Sequence, residues 1–324
     1  MPELLALLDS GTTRTRLRVW DGERVVFSAE RPVGARDVAR AGSPEPLRAT
    51  VRDLLAEARE RWPVEALVCS GMITSESGLL EVPHVPAPAD EARLARGVLR
   101  TDLPGSDLPC YFVPGVRTLA EAADWTSLSG ADVMRGEEVQ VLGLRARLEL
   151  DGPALFLSLG SHHKLIWTDG ASGILRSATA LSGELLAAVA EHTVLRASVG
   201  PMTGWPAPDP ELWRAGLDAA RAHGVGRALF LIRLGGLTLG AGPTELSAYL
   251  QGVTASLTLD LLPEPDGQPL RLFGTPTLAE CLAAELRRLG WPNVQAIDAA
   301  TADEATALGA ARVLARHLEG LEPG

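Results

Sequence analysis

Two short turns of small residues are the places where this chain could hold a phosphate. They are Asp9-Ser10-Gly11-Thr12-Thr13 and Gly160-Ser161-His162, and each follows an apolar segment. Such turns expose backbone N–H groups that no side chain covers, and Thr12 and Thr13 add hydroxyl donors. Asp9 carries a carboxylate of the kind that holds Mg²⁺ through water. An ordinary hairpin cap is the alternative interpretation of the Asp9 turn.

Lys164 is the only lysine among the 30 lysine and arginine residues of the chain. It comes directly after the second turn. A compact ammonium suits a phosphate at a place where the planar guanidinium of arginine does not fit. The position therefore predicts a lysine that contacts phosphate, and a stray surface lysine is the alternative.

A pair of glutamates, Glu137 and Glu138, follows Gly136 at the predicted start of a helix. Negative charge is favourable in the first turn of a helix, so the pair is explained by helix stability alone. A glutamate in such a position could also take a proton from a substrate hydroxyl as a general base. The sequence leaves both interpretations open.

Hydrophobic periodicity predicts an α/β fold in which strands alternate with helices. The predicted strands are Leu4–Leu8, Thr15–Trp20, Arg24–Ser28, Ala66–Cys69, Ala154–Leu159, Lys164–Trp167, Leu270–Phe273 and Val294–Ile297. The predicted helices are Pro46–Trp62, Glu91–Arg100, Glu137–Arg147, Ser182–His192, Pro210–His223, Thr244–Asp260, Pro276–Leu289 and Asp303–Leu318.

The strand–turn–strand unit occurs twice, which favours an internal duplication over coincidence. Both small-residue turns are followed by a tryptophan and by an Asp-Gly hairpin signal, at Asp21-Gly22 and at Asp169-Gly170. We therefore expect two α/β domains, at residues 1–130 and 131–324. The first would carry one phosphate turn and a sugar-binding loop, and the second would carry the glutamates and the other turn. Pro114–Gly130 is the predicted linker.

Composition excludes several classes of protein. The chain has 324 residues, a hydrophobic content of 46% and a net charge of −11 without a basic run, so binding to nucleic acid is not expected. Its three cysteines lie far apart and indicate neither a disulfide framework nor a zinc site. No apolar run has the length of a membrane span, and the first apolar segment lacks the basic flank of a signal peptide. We expect a cytoplasmic protein, with a homodimer as the default state.

Six motifs occur in the order seen in the 2-dehydro-3-deoxygalactonokinase family, which belongs to the actin, hexokinase and sugar-kinase superfamily. The chain resembles this family over nearly its whole length. The motifs are the Asp9–Thr13 turn, Gly71-Met72-Ile73, Val133–Gln140, Gly160–Lys164, Ser182-Gly183-Glu184 and Leu272–Thr275. The Met-Arg-Gly-Glu-Glu block and the second turn are the most specific of them.

The resemblance implies a duplicated ribonuclease-H-like fold with ATP and a sugar acid in the interdomain cleft. It implies an ATP- and Mg²⁺-dependent transfer of phosphate to the terminal hydroxyl of 2-dehydro-3-deoxy-D-galactonate, which gives the 6-phosphate in galactonate catabolism. Asp9 resembles the residue associated with the metal, and Glu137 the base, with Glu138 as its competitor. The other implied site residues are Gly11, Thr12, Thr13, Gly160, Ser161, His162 and Lys164 for the phosphates, Gly274 and Thr275 for adenosine, and Gly71 and Met72 for the sugar.

The acid end of such a substrate needs a cationic partner. Arg16, Arg135 and Arg233 each match an arginine of the family pattern, although an ion pair within the protein explains any one of them as well. Two residues depart from the pattern. Ser10 stands where the family usually has tryptophan, and His163 stands where it usually has cysteine.

Two alternatives remain open. One is a sibling kinase that acts on 2-dehydro-3-deoxygluconate or another sugar acid. The other is an ATPase driven through conformational change without a sugar acceptor, such as a chaperone-like protein or a reductase activator. An activator with an iron–sulfur centre would need clustered cysteines, which this sequence lacks.

Overall fold

A computed structural model describes residues 2–103, 106–118, 124–203 and 205–320. These residues form fourteen strands, β1 to β14, in chain order at Leu5–Ser10, Thr15–Trp20, Val25–Arg31, Ala66–Gly71, Val85–Pro86, Leu99–Asp102, Pro109–Phe112, Val116–Thr118, Asp132–Met134, Ala154–Leu159, His163–Asp169, Gly173–Ala180, Leu270–Gly274 and Val294–Ala296. Their helices, α1 to α11, span Ala35–Ala41, Glu45–Arg59, Glu91–Arg96, Glu137–Arg147, Ser182–His192, Arg196–Val199, Pro210–His223, Val225–Leu234, Pro243–Leu259, Pro276–Arg288 and Ala299–Glu319.

The chain groups into two compact units. The first contains Met1–Ala154, Ile166–Ser177 and Asp298–Gly324, and the second contains Leu155–Leu165 and Ala178–Ile297. This division differs from the predicted one at residue 130, because α4 and the last helix, α11, pack against each other within the first unit. The glutamates at the start of α4 therefore belong to the same unit as Asp9.

A six-stranded sheet forms the centre of the first unit, with the strand order β3-β2-β1-β4-β7-β6. The strands β1 and β2 are antiparallel, whereas β1 and β4 are parallel. Every residue of β4 is buried, as expected for a continuous apolar run in the middle of a sheet. On one side the amphipathic helix α2 adds Leu47, Val51 and Leu54 to the core.

The second sheet repeats this arrangement, with the strand order β12-β11-β10-β13-β14. In each sheet three consecutive strands lie side by side, and the first of them also pairs with a later strand in parallel, β4 in one sheet and β13 in the other. The predicted α/β fold and the predicted internal duplication are both confirmed by these two strand orders.

Each unit contains one helix pair in which the backbones touch at glycines. Where α4 crosses α11, a Cβ atom added at Gly143 would lie 1.8 Å from the Ala305 carbonyl oxygen, and one at Gly309 would lie 1.8 Å from that of Val139. Where α7 crosses α9, Gly216 and Gly252 meet the opposite backbone in the same way, at 2.0 and 1.8 Å. Glycine at these positions lets each pair approach more closely than side chains allow.

The predicted elements are recovered, but the strands β5, β7, β9 and β12 and the short helix α6 were not predicted. The helix predicted over Glu91–Arg100 ends at Arg96, and Leu99–Asp102 is a strand that pairs with β7. The predicted linker contains β8, which pairs with β5 and β9 in a small third sheet, while its residues 119–123 lie outside the described residues. The short helix α1 was not predicted. The helix α8, which continues into a π-helical turn over Gly235–Leu239, was also missed.

Among the described residues no helix combines the length and the apolar character that a membrane crossing requires.

We expect Gly143→Ala to lower the free energy of unfolding by about 1–3 kcal/mol or more, because the added methyl group would overlap the backbone of α11. The measurement is urea unfolding followed by circular dichroism. Gly152→Ala is the matched control, since a Cβ atom there meets no atom within 4 Å. Equal midpoints for the two variants would show that the α4–α11 crossing is not tight.

Candidate active site

Asp9 lies near the end of β1, opposite Arg16 of β2 and beside Ser70 of β4. One oxygen of its carboxylate, Oδ1, is 2.9 Å from the point where a Cβ atom at Gly71 would stand, and 3.4 Å from the corresponding point at Gly136. Both glycines have positive φ angles, 81° and 104°, which L side chains rarely adopt. The carboxylate therefore occupies a space that exists because residues 71 and 136 have no side chains.

A cluster of charges surrounds Asp9. Asp303, in the first turns of α11, accepts hydrogen bonds through one carboxylate oxygen from both Arg16, at 2.7 Å, and Arg18, at 2.5 Å. Arg16 also pairs with Glu30. Burial raises the pKa of Asp9 above its ordinary value, the positive charges of Arg18 and Arg16 lower it, and Asp303 raises it.

Arg18 is buried, and its Nε has no hydrogen-bond partner among the described residues. Neither Arg18 nor Asp303 was predicted from the sequence. Alternation along β2 places Arg18 on the same face as Arg16 and could have identified it. Asp303 is separated from β2 by most of the chain, so no local pattern could connect them.

The two glutamates at the start of α4 have different environments. Glu138 is fully buried, and both of its carboxylate oxygens accept a hydrogen bond from the Gly136 N–H, at 2.9 and 2.7 Å. Burial raises the pKa of Glu138 to about 8, the Gly136 bond opposes that rise, and the charge of Glu137 adds to it. Glu137 is only partly buried. A substrate hydroxyl can therefore reach Glu137 more easily than Glu138.

Arg135 connects the start of α4 with the loop that follows β4. Its guanidinium donates to the Thr74 hydroxyl at 2.9 Å and to the Val82 carbonyl at 2.6 Å, and it lies 3.3 Å from His84 Nδ1. Thr74 itself donates to the Gly71 carbonyl. The predicted sugar loop, with Gly71 and Met72, is thus held next to Asp9 by the arginine that precedes Gly136.

The first small-residue turn is fixed by the helix that follows β3. The Gly11 and Thr12 carbonyls accept hydrogen bonds from the first amides of α1, at Ala35 and Arg36. Gly11 and Thr13 are exposed. Ser10, which departs from the family pattern, is buried and shares a hydrogen bond of 3.0 Å with the Thr15 hydroxyl.

The second turn, in the other unit, is built in the same way. The Ser161 carbonyl accepts from the Glu184 amide of α5 at 2.7 Å, and His162 Nε2 lies 2.8 Å from the Glu184 carboxylate. Gly160 and Ser161 are exposed, as expected for a turn that receives a ligand. The motif Ser182-Gly183-Glu184 is therefore the support of this turn.

Lys164 follows this turn and is buried, so the interpretation of Lys164 as a stray surface lysine is wrong. Its neighbour His163 is also buried and places Nδ1 2.6 Å from the Thr258 hydroxyl of α9. Burial lowers the pKa of His163 to about 4, so that the imidazole is neutral near pH 7.

Gly274 and Thr275, predicted to bind adenosine, lie beside the end of β10. The Thr275 amide and hydroxyl both donate to the Leu159 carbonyl, at 2.9 and 3.1 Å. Arg233, the remaining candidate for the substrate carboxylate, is exposed on α8. The structure thus groups Asp9, Gly71, Arg135 and Glu137 in the first unit, and the second turn, Lys164 and Gly274 in the second.

The surroundings of Asp9 fit a magnesium ion of the kind that a nucleotide brings. Among the described residues no group of three or more histidine, cysteine, aspartate or glutamate side chains could hold a metal by itself. Magnesium bound together with phosphates needs only one or two protein carboxylates and retains several waters. Asp9 is one such carboxylate, so the described residues fit an ion that the phosphates also hold.

We expect Glu138→Gln to stabilise the protein more at pH 8.5 than at pH 5. Since the pKa of Glu138 is raised to about 8 in the folded state, the folded protein keeps a proton that the unfolded chain releases above about pH 4.5. Wild-type stability therefore falls as the pH rises through this window, and glutamine removes that loss.

The measurement is the urea midpoint at both pH values. Glu264→Gln, in an exposed loop, controls for the change in net charge. If the gain from Glu138→Gln were the same at both pH values, Glu138 would be ionised throughout the range.

Comparison with known proteins identifies the family of this chain. The model of the 2-keto-3-deoxy-galactonokinase family matches residues 9–313. A probable 2-dehydro-3-deoxygalactonokinase from Rhizobium meliloti is 28% identical, over 95% of this chain and 97% of that protein. The 2-dehydro-3-deoxygalactonokinase of Escherichia coli is 26% identical over 76% of each chain.

A solved structure shows the same fold. The crystal structure of a candidate 2-dehydro-3-deoxygalactonokinase from Sinorhizobium meliloti superposes with a TM-score of 0.76 at 26% identity, and covers 98% of this chain and 100% of that one. Because the family match extends from Asp9 to the last helix, the chain belongs to the 2-keto-3-deoxy-galactonokinase family.

Proposed function

We propose that this protein phosphorylates the terminal hydroxyl of 2-dehydro-3-deoxy-D-galactonate with ATP and Mg²⁺, which gives the 6-phosphate. Membership of the family supports the reaction class and the use of ATP. The observation that carries the proposal is the position of the Asp9 carboxylate, which lies against Gly71 and against Gly136 at the start of the helix that bears Glu137. A cytoplasmic location stays a prediction.

Phosphoryl transfer depends mainly on alignment of the acceptor and on neutralisation of charge. In our proposal Thr12 and Thr13 of one turn, and Gly160, Ser161 and His162 of the other, donate to the phosphates. The Gly11 N–H donates to the Arg14 carbonyl at 2.8 Å, so Gly11 would contribute by leaving the turn open to a phosphate. Lys164 supplies an ammonium next to the second turn. Asp9 would hold Mg²⁺, which reduces the negative charge on the phosphates when bound.

Glu137 is the proposed general base. The contrast with Glu138 supports this choice, because Glu138 directs both carboxylate oxygens to the Gly136 N–H and its raised pKa, about 8, keeps it protonated near pH 7. A protonated carboxyl cannot accept the proton of a hydroxyl. Glu138 would instead fix the start of α4, and with it the position of Glu137.

Arg135 is the strongest of the three candidates for the substrate carboxylate. It lies beside Gly71 and Thr74, in the same unit as Asp9 and Glu137. Arg16 already forms ion pairs with Glu30 and Asp303, so these two carboxylates largely neutralise its positive charge. We therefore propose that Arg16 supports Asp9 and that Arg135 faces the sugar acid.

We expect Glu137→Gln to reduce kcat by a factor of about 10²–10⁴ while the KM for ATP changes little, since only proton removal is lost. The assay couples ADP release to a detectable reaction. Glu138→Gln is the matched control and is expected to retain most of the activity. An active Glu137→Gln enzyme together with an inactive Glu138→Gln enzyme would transfer the role to Glu138.

The same assay tests the substrate with a panel of 2-keto-3-deoxy sugar acids, each epimer offered separately. We expect ADP release to require a sugar acid and to be fastest with the galactonate derivative. Faster turnover of the gluconate epimer would support the sibling kinase. Release of ADP at the same rate without any sugar acid would instead indicate an ATPase.

We expect Asp9→Asn to raise the Mg²⁺ concentration required for half-maximal rate, because the amide is a weaker ligand than the carboxylate. The measurement is a Mg²⁺ titration at fixed ATP. Ser10→Ala is the adjacent control, since it removes a buried hydroxyl without changing the charge. An unchanged Mg²⁺ requirement in Asp9→Asn would separate Asp9 from the metal.

A further inference from the structure

The second unit has an apolar surface that the proposed catalytic residues do not use. On α8 and its π-helical turn the side chains of Phe230, Leu237 and Leu239 are 51%, 72% and 82% exposed. The segment from Val225 to Gly242 contains no acidic residue, although the chain has a net charge of −11. Large exposed apolar side chains gathered on one segment, in a stretch without acidic residues, indicate a candidate binding surface.

A groove of about 400 Å³ lies directly beside these side chains, between α7, the end of α8 and the start of α9. Its lining is almost entirely apolar and includes Leu231, Leu234 and Leu239. Glu245 is its one charged lining residue. The same surface thus presents an exposed leucine, Leu237, and an apolar groove that could accept a leucine side chain. A surface that carries both parts can pair with a copy of itself through a twofold axis.

The charges near the two ends of α8 are opposite. Arg227 lies one helical turn before Leu231, and therefore on the same face of α8 at its beginning. Glu245 lies near the other end of α8, because Leu246 packs against Gly235 and the Ala241 amide donates to the Gly235 carbonyl. A twofold axis across the groove would place the Arg227 of each protomer opposite the partner's Glu245.

We propose that the α8–α9 groove is the interface of a homodimer, in which Leu237 of each protomer enters the partner's groove and Leu239, which lines its own groove, packs against the entering side chain. Two Arg227–Glu245 pairs flank this apolar centre. Charged pairs at the rim of an apolar centre mainly fix the register of the two partners, whereas the buried side chains provide most of the affinity. The inference is independent of the proposed reaction.

The test is sedimentation velocity of the full-length protein over a dilution series. We expect a dimer for the wild type, and a dimer dissociation constant at least about tenfold higher for Leu239→Asp. Val194→Asp is the matched control, since Val194 is 71% exposed in the turn between α5 and α6, outside the groove. Circular dichroism confirms that each variant is folded.

A double-mutant cycle tests the register. Arg227→Ala and Glu245→Gln should each weaken the dimer, and the double variant should be no weaker than the worse single variant, because the two residues act as one pair. Glutamine retains an oxygen that can accept from the Gly242 amide, as Glu245 does at 2.7 Å.

Three results would overturn the proposal. The first is a wild-type protein that stays monomeric throughout the series, and the second is a dimer that Leu239→Asp leaves unchanged. The third is evidence that the groove binds a small ligand. That evidence would be binding of an apolar dye to the monomer, or a higher KM for the sugar acid in the Leu237→Asp variant.

Discussion

The site in the first unit depends on the room around one carboxylate. Asp9 Oδ1 lies close to the points where side chains at residues 71 and 136 would stand. The end of β4 and the start of α4 can therefore both approach the carboxylate only because these two residues are glycines. The position of α4 depends in turn on its close crossing with α11. The same helix, α11, supplies Asp303, which holds the two arginines beside Asp9. The scaffold and the site are therefore one continuous set of contacts.

The two sheets share one arrangement of strands but carry different residues at equivalent positions. Ser10 pairs with Gly71 in the first sheet, and Leu159 pairs with Gly274 at the corresponding place in the second. The counterpart of Asp9 is therefore Ser158, which is buried in its strand. Both units retain the turn held by helix amides and a helix crossing at glycines. What differs is the charged residue of each unit's site: Asp9 stands in β1 where β10 has Ser158, and Lys164 follows the turn of the second unit.

Most strands and helices could be predicted from the sequence, because apolar periodicity and turn residues are local signals. The bounds predicted for Glu137–Arg147, Ser182–His192 and Pro210–His223 are those observed. The helix α8 was missed because several of its exposed positions are apolar. Its sequence therefore lacks the polar face that marks a surface helix. The linker prediction overlooked β8 because a three-residue strand gives too little periodicity.

The site was predictable in its parts and less so in its connections. Family motifs proposed Asp9, Glu137 and both turns as candidates, whereas the difference between Glu137 and Glu138 depends on burial that no spacing reveals. The ion pairs of Arg16 with Asp303 join residues 287 positions apart. Contacts between residues so far apart in the chain depend on how the helices and strands pack. No local pattern in a single sequence predicts them.

The solitary lysine also has a consequence for chemical probing. Apart from the amino terminus, Lys164 is the one aliphatic amine in the chain, and its side chain is buried with only 4% of the residue accessible. An amine-directed acylating reagent therefore finds almost nothing to modify on the intact second unit. Incorporation of label at this one position would report directly on opening of the strand that follows the Gly160 turn.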